Sequence, residues 1–356
     1  MKKLFLNIIL ISLPTLIILV LVLELFFRFV IPSNNPPQTI FSKEDLLYKY
    51  KPNQLGLFSI GKFAQIRSNY RINNDGWNSL IDYRKKKNNS KKRIAVIGDS
   101  YIEAFQVDYD KSYPRLLSNV LKNEYEIYSF GISGAPLSQY LHMNRYVNKT
   151  YDPEIVIINL IHNDFDESLS TFNDEKHFLK IQLDQSISEI KPQIDYSFSE
   201  FNWWKRALKK SAIVRYLFFN LKIKELLNKT ANDFEANINI NAVQNNKKSI
   251  VRSTEYLIKT IKDENKDKSL ILLMDAPRES IYNSNLSKSQ ALELNSMVRN
   301  MCKINNVNLI DLTQSMYDDY ILNKEKFNSD YDAHWNEYGH KFIADYLIDN
   351  FFEIYK

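Results

Sequence analysis

Two patterns of apolar and polar positions alternate along most of this chain, beginning at Arg93. Segments such as "SYPRLLSNVLKN" have the period of an amphipathic helix, and uninterrupted apolar runs lie between them. A strand that is buried on both faces has such an uninterrupted pattern. Strands of this kind separated by helices predict an α/β domain, in which helices cover both faces of a parallel sheet of about five strands. The predicted strands are 93–98, 125–131, 153–161, 269–277 and 306–312.

The alternation is interrupted at about 168–249. This interval contains "FNWWKRALKKSAIVRYLFFNLKIKELLNK", which is rich in aromatic residues and helical in period, and a polar run follows it. We interpret the interval as a helical insertion that forms a lid or flap. Trp203 and Trp204 either pack in the core of this insertion or form a wall of a substrate cleft, and the pattern leaves both possibilities open.

The first 32 residues, "MKKLFLNIILISLPTLIILVLVLELFFRFVIP", are the most apolar part of the chain. Twenty helical residues extend about 30 Å, which matches the hydrocarbon core of a bilayer. The apolar stretch is long for a signal peptide, and no small-x-small cleavage site follows it. The sequence therefore predicts an uncleaved transmembrane anchor, with a cleaved signal peptide as the alternative.

Lys2 and Lys3 precede the apolar helix. Basic residues on one side of a membrane helix favour the cytoplasm for that side, so we expect an inner-membrane protein whose remaining chain is periplasmic or extracellular. The predicted organisation is an anchor over 1–32, a spacer and N-terminal extension over 33–91, and the α/β domain with its insertion over 92–356.

Charge and cysteine content narrow the possible functions. The net charge is +5 and basic residues mostly alternate with acidic ones, so nucleic-acid binding is not indicated. Cys302 is the only cysteine, which excludes an intramolecular disulfide and a zinc site built from cysteines. We expect no metal and no cofactor, and the sequence does not indicate an oligomeric state.

The triplet Gly98-Asp99-Ser100 ends the first predicted strand and precedes a helix. There the backbone N–H and the hydroxyl of Ser100 would lie at a helix N-terminus, which stabilises negative charge and suits a nucleophile with its developing oxyanion. Serine is also a preferred N-cap, so the triplet alone leaves a purely structural role open. Residue 102 is Ile, which means that the G-x-S-x-G turn of α/β-hydrolases is absent.

A serine nucleophile needs a base, and His334 is the best placed of the five histidines. It follows the last strand signal, so in a parallel sheet its loop lies at the same edge as Ser100. Asp332 precedes it by two residues, and an Asp-x-His on a tight loop can place the carboxylate beside Nδ1 and leave Nε2 for the serine. His340 falls within the C-terminal helix, where we expect a structural role.

Two other strand ends carry candidate oxyanion donors. Gly134 lies in "SFGISGAPLSQ" after the second strand, and a glycine there lets its backbone N–H approach a ligand closely. Asn163 lies in "NLIHNDF" after the third strand, and its amide can donate to an oxyanion as a backbone N–H does. Taken alone, Asn163 is also consistent with a turn motif.

The order Gly98-Asp99-Ser100, Gly134, Asn163, Asp332 and His334 resembles the SGNH (GDSL-type) hydrolases, named after Ser, Gly, Asn and His in four separate blocks. The resemblance covers 92–356 without the insertion. It implies a three-layer, flavodoxin-like αβα fold and ester chemistry, with Ser100 as nucleophile, His334 as general base and Asp332 as the orienting acid. It also implies an oxyanion hole formed by the backbone amides of Ser100 and Gly134 and the side chain of Asn163.

Three positions depart from the family pattern: Ala104 and His162 stand where glycine is more common, and one residue rather than two separates Asp332 from His334. The "D-x-H-W-N-x-x-G-H" loop is similar to membrane-linked and polysaccharide-modifying branches of the superfamily. We therefore hypothesise a membrane-anchored esterase that removes O-acyl or O-acetyl groups from an extracytoplasmic glycan or a small ester. The alternatives are an O-acetyltransferase acting on an exported polysaccharide and a catalytically inactive binding or assembly module.

Overall fold

The computed structural model describes residues 8–87, 90–172, 176–193, 208–221, 234–235 and 238–354. The strands are β1 Thr39–Ser42, β2 Leu47–Tyr50, β3 Gln54–Ile60, β4 Ile66–Ile72, β5 Lys92–Gly98, β6 Tyr125–Gly131, β7 Ile155–Leu160, β8 Lys180–Leu183, β9 Ile187–Ile190, β10 Phe234–Glu235, β11 Ile238–Asn239, β12 Ser269–Met274, β13 Asn308–Asp311, β14 Asn328–Ser329 and β15 Asp332–Trp335. The α-helices are α1 Leu13–Phe29, α2 Ser100–Glu103, α3 Tyr113–Val120, α4 Leu137–Tyr151, α5 Asp164–Glu167, α6 Ala212–Arg215, α7 Ile240–Asn245, α8 Lys247–Glu264, α9 Arg278–Tyr282, α10 Ala291–Asn305, α11 Thr313–Asn323 and α12 Glu337–Ile354. Two π-helical segments, Ile8–Ser12 and Tyr216–Asn220, precede α1 and follow α6.

A five-stranded parallel sheet forms the centre of the α/β region, in the order β13-β12-β7-β5-β6. This confirms the prediction of a parallel sheet, and its five strands are the five predicted from the apolar runs. Strand β5 lies between β7 and β6, and the chain leaves all three strands at the same edge. The segments that follow these three strands are therefore neighbours, which is where open α/β sheets form their sites.

Helices cover both faces of this sheet. On one face, Ile94, Val96 and Ile157 belong to a buried cluster that includes Leu117 of α3 and Ile343 of α12. The other face packs against α4, which also contacts α8. Each Val, Ile or Leu that is fully buried in this way contributes about 1.5–3 kcal/mol relative to an exposed side chain, so the covered sheet is the main stabilising element of the fold.

The chain divides into two compact units. The smaller one comprises the described residues of 1–36, 56–68 and 196–230, and the larger one, which contains the parallel sheet, comprises those of 37–55, 69–195 and 231–356. In the smaller unit, Ile9–Phe29 is a 21-residue helical stretch with a mean hydropathy of 2.7, and none of it is buried. The predicted apolar helix is thus present, and it is long and apolar enough to cross a membrane.

The interval predicted as a helical insertion contains strands as well as helices. Strands β8 and β9 form an antiparallel hairpin, and the buried Ile181 of β8 exchanges backbone hydrogen bonds with Ser168 and Ser170, at 2.8 and 2.9 Å. The prediction of a purely helical insertion is therefore wrong for β8 and β9. Short runs of alternating apolar and polar residues lie here on either side of a tight turn, a pattern typical of a hairpin. Trp203 and Trp204 lie outside the described residues.

Gly131, the last residue of β6, lies in close contact with the turn of α2. A Cβ atom at Gly131 would lie 2.1 Å from the backbone nitrogen of Glu103 and 2.8 Å from the carbonyl oxygen of Asp99. These are backbone atoms and cannot rotate away. The fold therefore requires glycine at this position.

We expect Gly131→Ala to lower the free energy of unfolding by about 1–3 kcal/mol, since the added methyl group must displace the backbone of α2. Urea unfolding measures this change. Gly56→Ala in β3 is the matched control, because Gly56 has no positive φ, and it should change stability by less than about 0.5 kcal/mol. Equal stability of Gly131→Ala and the unmodified chain would contradict the packing argument.

Candidate active site

Ser100 is the first residue of α2, directly after β5. The residue that caps this helix is Asp99, whose carboxylate accepts the backbone N–H of Tyr101 at 2.9 Å. The interpretation of Ser100 as the N-cap is therefore wrong. Its hydroxyl instead hydrogen-bonds Nε2 of His334 at 2.7 Å.

The Asp332–His334 pair, which completes the hydrogen-bonded series, lies on β15. The Asp332 carboxylate hydrogen-bonds Nδ1 of His334 and also accepts the backbone N–H of His334 at 2.9 Å. With Asp332 ionised, Nδ1 carries the hydrogen and Nε2 accepts from the hydroxyl of Ser100. The side chain of His334 is 23% exposed, so a substrate can reach it.

The next acidic residue upstream, Asp330, takes no part in this chain of hydrogen bonds. It is exposed and forms an ion pair with Lys326 at 2.8 Å. The structure thus brings together Ser100, His334 and Asp332, the three residues that the sequence predicts as nucleophile, base and orienting acid.

Tyr101, which sequence analysis did not identify, connects the serine turn to the histidine strand. Its hydroxyl donates to the carbonyl oxygen of Ala333 at 3.1 Å and accepts from Arg278 at 2.7 Å. Arg278 is buried and forms an ion pair with Asp275, and Asp275 in turn accepts the indole N–H of Trp335 at 3.1 Å. The residues on both sides of His334 are therefore held by the side chains of Tyr101 and Asp275, which Arg278 joins.

The predicted oxyanion donors follow the two strands beside β5. Gly134 has a φ of 77° after β6, and Asn163 is the N-cap of α5 after β7. Within the described residues, the backbone N–H groups of Ser100 and Gly134 make no hydrogen bond to another protein group. They are therefore available to a ligand.

Glu103, also absent from the sequence prediction, anchors the segment that carries Gly134. Its carboxyl group hydrogen-bonds the hydroxyls of Tyr50 and Ser133 and accepts the backbone N–H of Ser133 at 3.1 Å. Burial raises the pKa of Glu103 to about 7. The single turn of α2 thus begins with Ser100 and ends with Glu103, which holds Ser133, the residue before Gly134, in place.

Several other acids close to the serine are buried and hold their protons more tightly than usual. Burial raises the pKa of Asp99 to about 6 and that of Asp164 well above its usual range. Burial also raises the pKa of Glu167 to about 7, although the nearby side chain of Asn163 lowers it. In sequence these acids look like ordinary polar residues of short helices, and only their burial distinguishes them.

The other histidines near the sheet edge have structural partners. His162 is buried and hydrogen-bonds Asn295 at 2.8 Å. His340 accepts the backbone N–H of Tyr113 at 3.3 Å, and burial lowers its pKa to about 3. In the described part of the chain, no group of three or more His, Cys, Asp or Glu side chains is arranged to hold a metal ion.

Residues 94–200 match the family of GDSL-like lipases and acylhydrolases. The chain carries a GDSL-like lipase/acylhydrolase domain. The match includes Ser100, Gly134 and Asn163, whereas Asp332 and His334 lie beyond it. The GDSL-like domain identifies the chain as a hydrolase of ester bonds.

Solved structures with a similar fold include several esterases at low sequence identity. A member of the lipolytic G-D-S-L family from Veillonella parvula is 10% identical with a TM-score of 0.41, over 72% of this chain and 97% of that one. An acetyl xylan esterase is 17% identical with a TM-score of 0.43, over 72% and 98%. A two-domain esterase active on acetylated mannans is 11% identical with a TM-score of 0.42, over 74% and 50%. No curated protein matches the sequence significantly.

The raised pKa of Glu103 predicts a pH-dependent stability. Between its ordinary value of 4.5 and about 7, Glu103 binds a proton in the folded chain but not in the unfolded one. The free energy of unfolding therefore falls as the pH rises through this window. We expect Glu103→Gln to make this fall smaller, as measured by urea unfolding at a series of pH values.

The control for this measurement is Glu255→Gln, at an exposed position of α8, which should follow the curve of the unmodified chain. The other buried acids are present in both variants, so the difference between the curves reports Glu103 together with its charge interaction with Asp99. A Glu103→Gln curve parallel to that of the unmodified chain would show that Glu103 does not titrate in this window.

Proposed function

We propose that this chain is a serine esterase that is anchored in the inner membrane and removes O-acyl groups outside the cytoplasm. The observation that carries the proposal is the hydrogen-bonded series from Asp332 through His334 to Ser100, inside an ester hydrolase fold. Each group has the role that ester cleavage through an acyl-serine requires.

In the first half of the reaction, His334 takes the proton of the Ser100 hydroxyl through Nε2 as Oγ bonds to the ester carbonyl carbon. Asp332 stabilises the imidazolium that forms and keeps its ring in orientation. The carbonyl oxygen becomes an oxyanion that accepts hydrogen bonds from the backbone N–H groups of Ser100 and Gly134 and from the amide of Asn163. The bond to the leaving alcohol then breaks, and His334 gives the alcohol its proton.

In the second half, a water molecule replaces the alcohol. His334 takes one proton of the water as its oxygen attacks the acyl carbon, and the same donors hold the second oxyanion. The bond to Oγ breaks, Ser100 recovers its proton from His334, and the carboxylic acid leaves. The protonation states of Ser100 and His334 are thus restored, and the cycle needs no metal ion or cofactor.

The substrate class that we propose is an acylated, for example O-acetylated, extracytoplasmic glycan or a small ester. Its support is the similarity of the loop around His334 to polysaccharide-modifying branches of the superfamily, together with the apolar helix Ile9–Phe29. The basic pair Lys2 and Lys3 before this helix favours a cytoplasmic N-terminus. Transfer of the acyl group to a polysaccharide would need the same acyl-serine, but no observation favours it over hydrolysis.

We expect Ser100→Ala to lower the hydrolysis of p-nitrophenyl acetate by about 10⁴-fold or more, because the nucleophile is lost. Asp332→Asn should lower it by about 10²–10⁴-fold, because His334 loses the carboxylate that orients it. The kcat of each purified variant measures these effects. Ser315→Ala in α11 is the serine control and should keep full activity, whereas activity that survives in Ser100→Ala would exclude Ser100 as the nucleophile.

The anchor predicts that the mature protein keeps its first residues. We expect the intact mass of the protein from the membrane fraction to include the apolar helix. We also expect the protein to resist extraction by alkaline carbonate, because an apolar helix of 21 residues is long enough to span the bilayer. A mature form that begins after Phe29 and is soluble would instead identify the helix as a signal peptide.

A further inference from the structure

Glu24 is an acidic residue inside the apolar helix α1, and its partners come from a segment almost two hundred residues later. Its carboxylate accepts hydrogen bonds from the hydroxyl of Ser211 at 2.9 Å and from the backbone N–H groups of Ala212 and Ile213 at 2.8 and 3.2 Å. Arg28 donates a further bond at 2.6 Å. Glu24 thus holds the start of α6 against the side of α1.

Further contacts continue along the same segment. The ring of Tyr216 stacks on Phe27 of α1 with the centroids 3.9 Å apart. The side chain of Asn220 accepts the backbone N–H of Asn34 at 3.1 Å, just beyond the end of α1. Residues 211–220 therefore lie alongside the C-terminal end of α1 and are not a loose loop.

The position of Glu24 in α1 sets the depth of this segment. At a rise of about 1.5 Å per residue, Ile9–Phe29 is about 30 Å long, and Glu24 lies about 8 Å before its end. If the helix spans the hydrocarbon core, which is also about 30 Å thick, Glu24 lies inside the edge of that core. A carboxylate there is costly unless it is paired. Ser211, Ala212 and Ile213 supply that pairing, so they must lie at the same depth.

The outer face of the segment is apolar. Leu217, Phe218 and Phe219 are 37%, 52% and 43% exposed, whereas Tyr216 and Asn220 on either side of them are buried. Exposed aromatic and aliphatic side chains in series are unfavourable in water. They are favourable at the boundary between headgroups and acyl chains, where amphipathic segments lie in the plane of the membrane.

We propose that 211–221, the interfacial segment, inserts Leu217, Phe218 and Phe219 into the surface of the bilayer that holds α1. The proposal rests on the anchor proposed above and goes beyond it, because it gives the smaller unit a second contact with lipid. We assign the lipid surface as the partner of these three side chains because of Glu24. The segment binds this carboxylate only when it lies at the depth of the membrane edge. Lys210, which is exposed and precedes the segment, can extend its ammonium group to the headgroup region.

Quenching by brominated lipid tests this placement in the full-length chain. Single cysteines that carry an environment-sensitive fluorophore replace Leu16 in α1, Phe218 in the interfacial segment and Leu322, an 81% exposed side chain of α11. Each protein is placed in vesicles of phosphatidylcholine and phosphatidylglycerol with and without bromine on the acyl chains. Cys302 is buried, and the unmodified chain measures its residual labelling. Far-UV circular dichroism of each variant shows that it is folded.

We expect the label at Phe218 to lose fluorescence to an extent similar to the label at Leu16, and the label at Leu322 to lose little. If the label at Leu16 is quenched but the label at Phe218 is quenched no more than that at Leu322, the proposed insertion of the interfacial segment is wrong and the proposed anchor is supported. If the label at Leu16 is not quenched either, the proposed anchor and the proposed insertion of the interfacial segment are both wrong. The esterase assignment is measured separately and does not depend on these outcomes.

A second variant tests the role of Glu24. Glu24→Leu removes the acceptor of Ser211, Ala212 and Ile213 but keeps α1 apolar. We expect quenching of the Phe218 label to fall while that of the Leu16 label stays the same. Unchanged quenching at Phe218 in Glu24→Leu would overturn the conclusion that Glu24 sets the depth of the segment.

Discussion

The candidate site depends on the close approach of the α2 backbone to Gly131. Because no side chain separates them, the turn after β5 lies directly against the end of β6. This single turn carries Ser100 at its start and Glu103 at its end. Ser100 is therefore directed to His334, and Glu103 is directed to the loop of the neighbouring strand, where it binds Ser133. One backbone contact thus sets the relative position of the nucleophile and a proposed oxyanion donor.

The N-terminal extension completes this arrangement from outside the sheet. Tyr50 of β2 hydrogen-bonds the Glu103 carboxyl group, and Asn78 donates to the carbonyl oxygen of Glu103 at 2.7 Å. Burial raises the pKa of Glu103 to about 7, although the hydrogen bonds from Tyr50 and Ser133 lower it. The extension is therefore part of the support of the site and more than a spacer after the apolar helix.

The parts of the site that the sequence predicts are those that a local pattern determines. Ser100, Gly134 and Asn163 follow apolar strands, and a parallel sheet brings such positions together whatever lies between them. Glu103 and Tyr101 were not predictable, because their roles come from partners that are 30 to 232 residues away. Ala104 was predictable only in part. The sequence identifies it as a departure from glycine, and its φ of 56° lies in the left-handed region that glycine adopts most easily.

At the loop of His334, the residues that stabilise the fold differ from those that would react with a substrate. The hydrogen bond between Ser100 and His334 joins residues 234 apart, but a bond of this kind contributes only about 0.5–1.5 kcal/mol. Trp335, the next residue, is buried, and truncation of such a side chain costs about 3–5 kcal/mol. The loop is therefore held mainly by Trp335 and its bond to Asp275, not by the reacting groups. This leaves Ser100 and His334 free to exchange protons and partners during a reaction without loss of the fold.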